Sequence, residues 1–124
     1  MGVKGELGGN VSEFKNEPVI DYDTALENAA GDREIFLAVC ESAMQEIPSL
    51  YLGLIKAIDQ GQLQEAQRLA HTIKGAARVI AGVKTMKIAE KIESDMGKQD
   101  AQSARSSLSD LADAIDELKQ ELSD

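Results

Sequence analysis

The chain of 124 residues is long enough for one domain with a single core and too short for two. Two Phe, two Tyr and no Trp leave the core to Leu, Ile, Val, Ala and Met, the material of helical bundles, and leave little to stack on nucleic-acid bases. A formal net charge of −9 repels nucleic-acid phosphates and anionic lipid alike, so neither nucleic-acid binding nor membrane insertion is expected, and a protein or small-molecule partner remains.

Residues 1–18 hold four glycines and scattered charges without an apolar period, and read as a flexible tail or linker ahead of a helical domain over 19–124. Met1-Gly2 lacks the Ser or Thr of a myristoylation signal, because Glu6 stands there. The pattern from Val19 onward is helical. Asp21 or Asp23 can cap a short helix that stops near Gly31, and Asp32 can cap a second, to about Gln45, with Ile35, Phe36, Val39 and Ala43 inward. Pro48 suits the first turn of a third helix, which carries Leu50, Leu54, Ala57 and Ile58 to the core and ends at Gly61.

The fourth helix, about Leu63 to Ile80, has the cleanest stripe: Leu63, Ala66, Ala70, Ile73, Ala77 and Ile80 step by three and four. Gly82 breaks it. A fifth helix from Val83 to Gly97 turns Met86, Ala89, Ile92 and Met96 inward, and a sixth from Ala101 buries Ala104, Leu108, Leu111, Ile115, Leu118 and Leu122. Helices of this length joined by short loops pack as antiparallel neighbours, so the expected fold is all-α: an antiparallel four-helix bundle with one or two additional short N-terminal helices. Cys40, the only cysteine, falls on an apolar face and reads as a small core residue; a lone cysteine also fits a reducing cytoplasm.

Charge is uneven along the chain. Residues 61–91 carry Arg68, Lys74, Arg78, Lys84, Lys87 and Lys91 against Glu65 and Glu90, six cations to two carboxylates and a net +4. Such an island suits an anion or an acidic protein, although solvated helix faces can segregate charge by chance. Within it lies the only histidine. His71 follows Ala70 at the edge of the apolar stripe, with Gln64, Gln67, Arg68, Lys74, Gly75 and Arg78 within one or two turns. Gly75 inside a good helix costs about 1 kcal/mol relative to alanine, and the bare backbone it leaves lets a bulky group approach the imidazole. A neutral imidazole can attack phosphorus through one ring nitrogen, and Lys74 can reach phosphoryl oxygens as a point charge.

The segment Ala70-His71-Thr72-Ile73-Lys74-Gly75-Ala76-Ala77 resembles the signature of the histidine-containing phosphotransfer family of two-component relays, with lysine at +3 and glycine at +4 from the histidine. The acidic start near Asp32, the Pro48 junction, the Asp59-Gln60-Gly61 stop and the stretch Ala89-Glu90-Lys91-Ile92-Glu93 are similar too, over about Ile20 to Leu122. The resemblance implies that His71 accepts the phosphoryl group, that Lys74 supports it and that Gly75 keeps the surface open. It places Gln64, Gln67, Arg68 and Arg78 at the docking surface, with Gln67, Arg68 and Arg78 there to dock the partner or steady the phosphoryl group. The implied partners are response-regulator receiver domains and a hybrid sensor kinase, with Mg²⁺ on the receiver, no cofactor or metal of the chain's own, and a monomeric state. In one respect the chain departs: the family usually has glycine ten residues after the histidine, where this chain has Ala81 and then Gly82.

No glycine-rich nucleotide loop or kinase signature is present, so the expectation is a relay without ATP binding or kinase activity. The rival reading is a non-catalytic helical adaptor for an acidic protein partner, with His71 at the core's edge by chance. A metal-binding bundle would need several inward ligands, which one His and one distant Cys do not supply. Both a free-standing shuttle and the terminal domain of a larger hybrid kinase, with 1–18 as linker, fit the sequence.

Overall fold

The computed structural model describes residues 13–123, and among these the secondary structure is entirely helical. The helices are α1 (Tyr22–Asn28), α2 (Arg33–Asp59), α3 (Leu63–Val79), α4 (Val83–Gly97) and α5 (Ala101–Ser123). Short turns reverse the chain between the long four. α2 packs on α3, α3 on α4, α4 on α5, and α5 returns to α2, closing a four-helix bundle with α1 against α2. The core is built from the stripes that spacing marks, with Leu54, Ala66, Ala70, Ile73, Ala77, Ile80, Ile88, Ala89, Ile92, Leu111 and Leu118 shielded from solvent. Cys40 is buried among them, and burial pushes its thiol up, so it remains a protonated, small apolar filler.

Helix starts follow local chemistry. Asp21 caps α1, its carboxylate accepting from the Thr24 amide, and Asp32 caps α2 by accepting from the Glu34 and Ile35 amides at 2.9 and 3.2 Å. Two sequence expectations fail on α2. The second and third predicted helices are one continuous helix of 27 residues, with Pro48 inside it rather than at a new start. Proline removes one amide and crowds the preceding turn, but Ile47 and Leu54 are fully buried on either side, and packing of that face overrides the local cost. Ile35, expected inward, is exposed; Phe36 takes the core position beside it.

The chain ahead of α1 joins the bundle earlier than the boundary set at residue 19. Phe14 lies in the core cluster, Glu17 pairs with Lys87 at 3.0 Å, and the Pro18 carbonyl accepts from the Lys84 amide at 3.0 Å. That last bond serves the N-terminus of α4, which has no side-chain cap of its own. The rest of the expected tail, residues 1–12, lies outside the described residues.

The α3–α4 corner explains the Ala81-Gly82 pair. Helix α3 ends in a Schellman turn, with the Gly82 amide bonded to the Ala77 carbonyl at 2.8 Å and the Ala81 amide to Arg78 at 3.0 Å. The left-handed residue of that turn is Ala81, at φ +53°, not Gly82. The turn keeps its form with alanine where glycine would relieve a strain of about 1 kcal/mol. Gly82 instead sits at the start of α4, with the Leu118 side chain alongside.

Candidate functional site

His71 is placed by its neighbours on α3. Ala70 and Ile73 are completely buried, so the position between them falls at the rim of the packed face, and the His71 side chain is 65% exposed. Across the rim stands α4, where Ile92 is likewise buried and Glu93, the next residue, emerges beside His71. The Glu93 carboxylate bridges two side chains of α3. One oxygen, Oε2, lies 2.7 Å from His71 Nδ1, and the other, Oε1, lies 2.8 Å from Lys74 Nζ.

Burial pushes the Glu93 carboxyl up, but the hydrogen bonds from Lys74 and His71 and the positive charge of Lys74 outweigh it and hold it below the usual carboxylate range. An ionised carboxylate only accepts hydrogen bonds, so the His71 nitrogen facing it, Nδ1, must carry the proton. In a neutral ring that leaves Nε2 with its lone pair free on the solvent side. Lys74 is far less exposed than His71, at 14% of its side chain, and its ammonium is committed to Glu93. At rest it neutralises the carboxylate that orients the imidazole.

An open hollow of about 610 Å³ adjoins the ring, lined by Gln64, Glu65, Gln67, Arg68, His71 and Glu93. Arg68 grips Glu65 with Nε and Nη2 at 2.8 and 2.7 Å, on an exposed face. Gln67 lies against Gly97, whose missing side chain makes room for the amide; a Cβ there would stand 3.1 Å from Gln67 Nε2. On the other side of His71, Gly75 opens to solvent. A Cβ at Gly75 would meet none of the described residues within 4 Å, so their packing does not require glycine there.

Of the residues singled out by sequence, the structure groups Gln64, Gln67, Arg68 and His71 around the hollow, with Lys74 linked through Glu93. Arg78 is exposed and falls outside this group, two turns or about 10 Å along the axis from His71. Glu93 carries no role in the sequence reading, although it lies in a stretch noted there. Its signal was a carboxylate directly beside the Ile92 core position. The basic island also changes character on folding. Lys74, Lys84, Lys87 and Lys91 pair with Glu93, Glu117, Glu17 and Asp95, all outside residues 61–91, so the net +4 along the chain is not a bare cationic surface.

The family model of the Hpt domain matches residues 33–122, spanning all four long helices and the His71 rim. The chain belongs to the Hpt domain family. That assignment gives it a phosphotransfer-related role in two-component signalling, on the four-helix bundle described above. Comparison with curated proteins and with solved structures returned no match. The matched part of this Hpt domain begins at α2, so α1 and the segment from Phe14 are additions to it that nevertheless pack into the same core. Among the described residues, no helix of the Hpt domain is long and apolar enough to cross a membrane. Nor do three or more His, Cys, Asp or Glu side chains gather there in a way that could hold a metal ion.

Proposed function

We propose that His71 is the phosphoacceptor of a phosphorelay, taking a phosphoryl group from the aspartyl phosphate of a response-regulator receiver domain and returning it to another. The observation that carries this reading is the Glu93 carboxylate on Nδ1, 2.7 Å away, which leaves Nε2 as an exposed nucleophile with its lone pair available.

In the forward step Nε2 forms a bond to phosphorus as the bond from phosphorus to the aspartyl oxygen breaks, and the aspartate leaves with that electron pair as a carboxylate. The ring gains positive charge while Nδ1 keeps its proton. Glu93 already faces that proton, so the charge develops against a preorganised carboxylate. No general base is needed, because the attacking nitrogen carries no proton. A receiver's Mg²⁺ would neutralise the phosphoryl oxygens during transfer. Gly75 leaves the approach to the ring open, and Lys74 is near enough, three residues on, to turn its ammonium from Glu93 toward a phosphoryl group once one is present. Gln64, Gln67 and Arg68 border the same hollow and serve as docking contacts, with Arg78 at the far end of the exposed face. The upstream donor is a hybrid sensor kinase acting through its receiver, and the domain itself works without ATP.

The test incubates the protein with a phosphorylated receiver and Mg²⁺. The expected product is acid-labile, base-stable phosphate on His71, absent in His71→Gln. A chain that takes no phosphate acts instead as an adaptor, and one that takes it equally in His71→Gln carries it on a residue other than His71; either result overturns the proposal.

A further inference from the structure

The pair formed by Arg68 and Glu65 has no part in orienting His71, yet it lines the same hollow as the ring. Arg68 stands three residues before His71, so their side chains share one face of α3 with Cβ atoms about 5–6 Å apart. Helical side chains lean toward the N-terminus, which brings the imidazole over the turn that carries Arg68 and carries the guanidinium toward Glu65, one turn further on. Glu65 occupies the edge formed by Nε and Nη2. The other edge, with the two hydrogens of Nη1 and one of Nη2, is uncommitted, and that fork matches a phosphoryl group. An exposed pair of this kind is held weakly and exchanges partners readily.

The charges around the ring make the exchange consequential. Before phosphorylation Lys74 offsets Glu93 and Arg68 offsets Glu65, so the site is neutral apart from the imidazole. A phosphoryl group on Nε2 places about two negative charges at pH 7 on its oxygens, offset only in part by the positive ring, beside two carboxylates already present. Among the described residues Arg68 is the one Lys or Arg that lines the hollow, and its partner Glu65, unlike the Glu93 that holds Lys74, is not bonded to His71.

On the reading of His71 as phosphoacceptor, we propose that Arg68 leaves Glu65 to hold the phosphoryl group on His71, and that Glu65 competes for it and so sets how much phosphoryl the domain retains. Glu65 is then a positioning residue that acts through Arg68. Its own site in the first turn of α3 suits a carboxylate for the helix, so its effect on the phosphoryl group must be separated from any effect on folding.

The experiment measures the equilibrium share of phosphoryl between His71 and a phosphorylated receiver for the unaltered chain, Glu65→Gln, Arg68→Gln and the double variant, with circular dichroism confirming equal helicity. Arg68→Gln is expected to lower the share on His71 about two- to fivefold, and Glu65→Gln to raise it by a similar factor. The double variant should match Arg68→Gln alone, because Glu65 has nothing to compete for without the arginine. An unchanged share in Glu65→Gln overturns the proposal. So does an equal rise from Glu65→Gln in the Arg68→Gln background, which would mean that the carboxylate acts on the phosphoryl group directly. Absence of phosphate from His71 in the unaltered chain overturns the phosphoacceptor reading itself, a different result from either.

Discussion

Replacing Glu93 by alanine removes one carboxylate and with it two bonds, at 2.7 Å to His71 Nδ1 and at 2.8 Å to Lys74 Nζ. A hydrogen bond to a charged group contributes about 1.5–3 kcal/mol when shielded. The imidazole here is 65% exposed, so water competes and the bias on the ring falls to about 1–1.5 kcal/mol, or about tenfold in the ratio of its two neutral tautomers. Lys74, mostly buried, loses its counter-charge, which costs about 1–2 kcal/mol of folding stability, less than for a fully buried pair. Glu93→Gln retains an acceptor oxygen for Nδ1, and a neutral bond of about half the strength leaves a loss of about threefold. Nitrogen-15 spectra of the histidine ring report the tautomer directly: Nδ1 protonated in the unaltered chain, and a mixture in Glu93→Ala. Initial rates of phosphoryl uptake from a receiver should follow the same order. An Nδ1-protonated ring in Glu93→Ala, with an undiminished rate, would refute the argument that Glu93 selects the nucleophile.

Gly75→Ala should raise the free energy of unfolding by about 1 kcal/mol, since a Cβ meets none of the described residues within 4 Å, while slowing transfer from the receiver; urea denaturation and transfer rates measured together check this, and a variant improved in both would contradict an open docking face. Thr85 is buried and its hydroxyl has no hydrogen-bond partner among the described residues, so Thr85→Val should be neutral or stabilising by up to about 1 kcal/mol in urea denaturation, and a clear loss would reveal a partner for that oxygen. The Glu93 carboxyl is held below its ordinary value, so the native state takes up that proton at lower pH than the unfolded chain does. Its stabilising contribution is present above about pH 4.3 and is lost as pH falls through the native value. The urea midpoint of Glu93→Gln should therefore drop less than that of the unaltered chain between about pH 5 and pH 3.

Much of this was legible in the sequence because it is local. The apolar spacing from Leu63 to Ile80 depends only on helical period, and the core placement of Ala66, Ala70, Ile73 and Ala77 follows it. Asp32 as a cap and His71 at a stripe edge rest on the same short-range rules. What stayed hidden depends on which helix lies beside which. Glu93 is 22 residues from His71, and only the packing of α4 on α3 joins them. The basic island was likewise a property of chain order, since Lys84 finds Glu117 from α5 and Lys87 finds Glu17 from the N-terminal segment. Pro48 misled in the opposite direction: a strong local signal for a helix start yielded to the burial of Ile47 and Leu54 along one continuous face. At Ala81 the glycine signal was displaced by one residue, because the hydrogen bonds of the turn, not the residue type, decide which position becomes left-handed.

The central claim is that Nε2 of His71 is the nucleophile that carries the phosphoryl group. Phosphorus-31 and nitrogen-15 spectra of the domain after reaction with a phosphorylated receiver and Mg²⁺ test it most directly. The account predicts a phosphoramidate signal coupled to His71 Nε2, with Nδ1 still hydrogen-bonded to Glu93, and no such signal in His71→Gln. Phosphate on Nδ1, on another residue, or nowhere in the chain would contradict it.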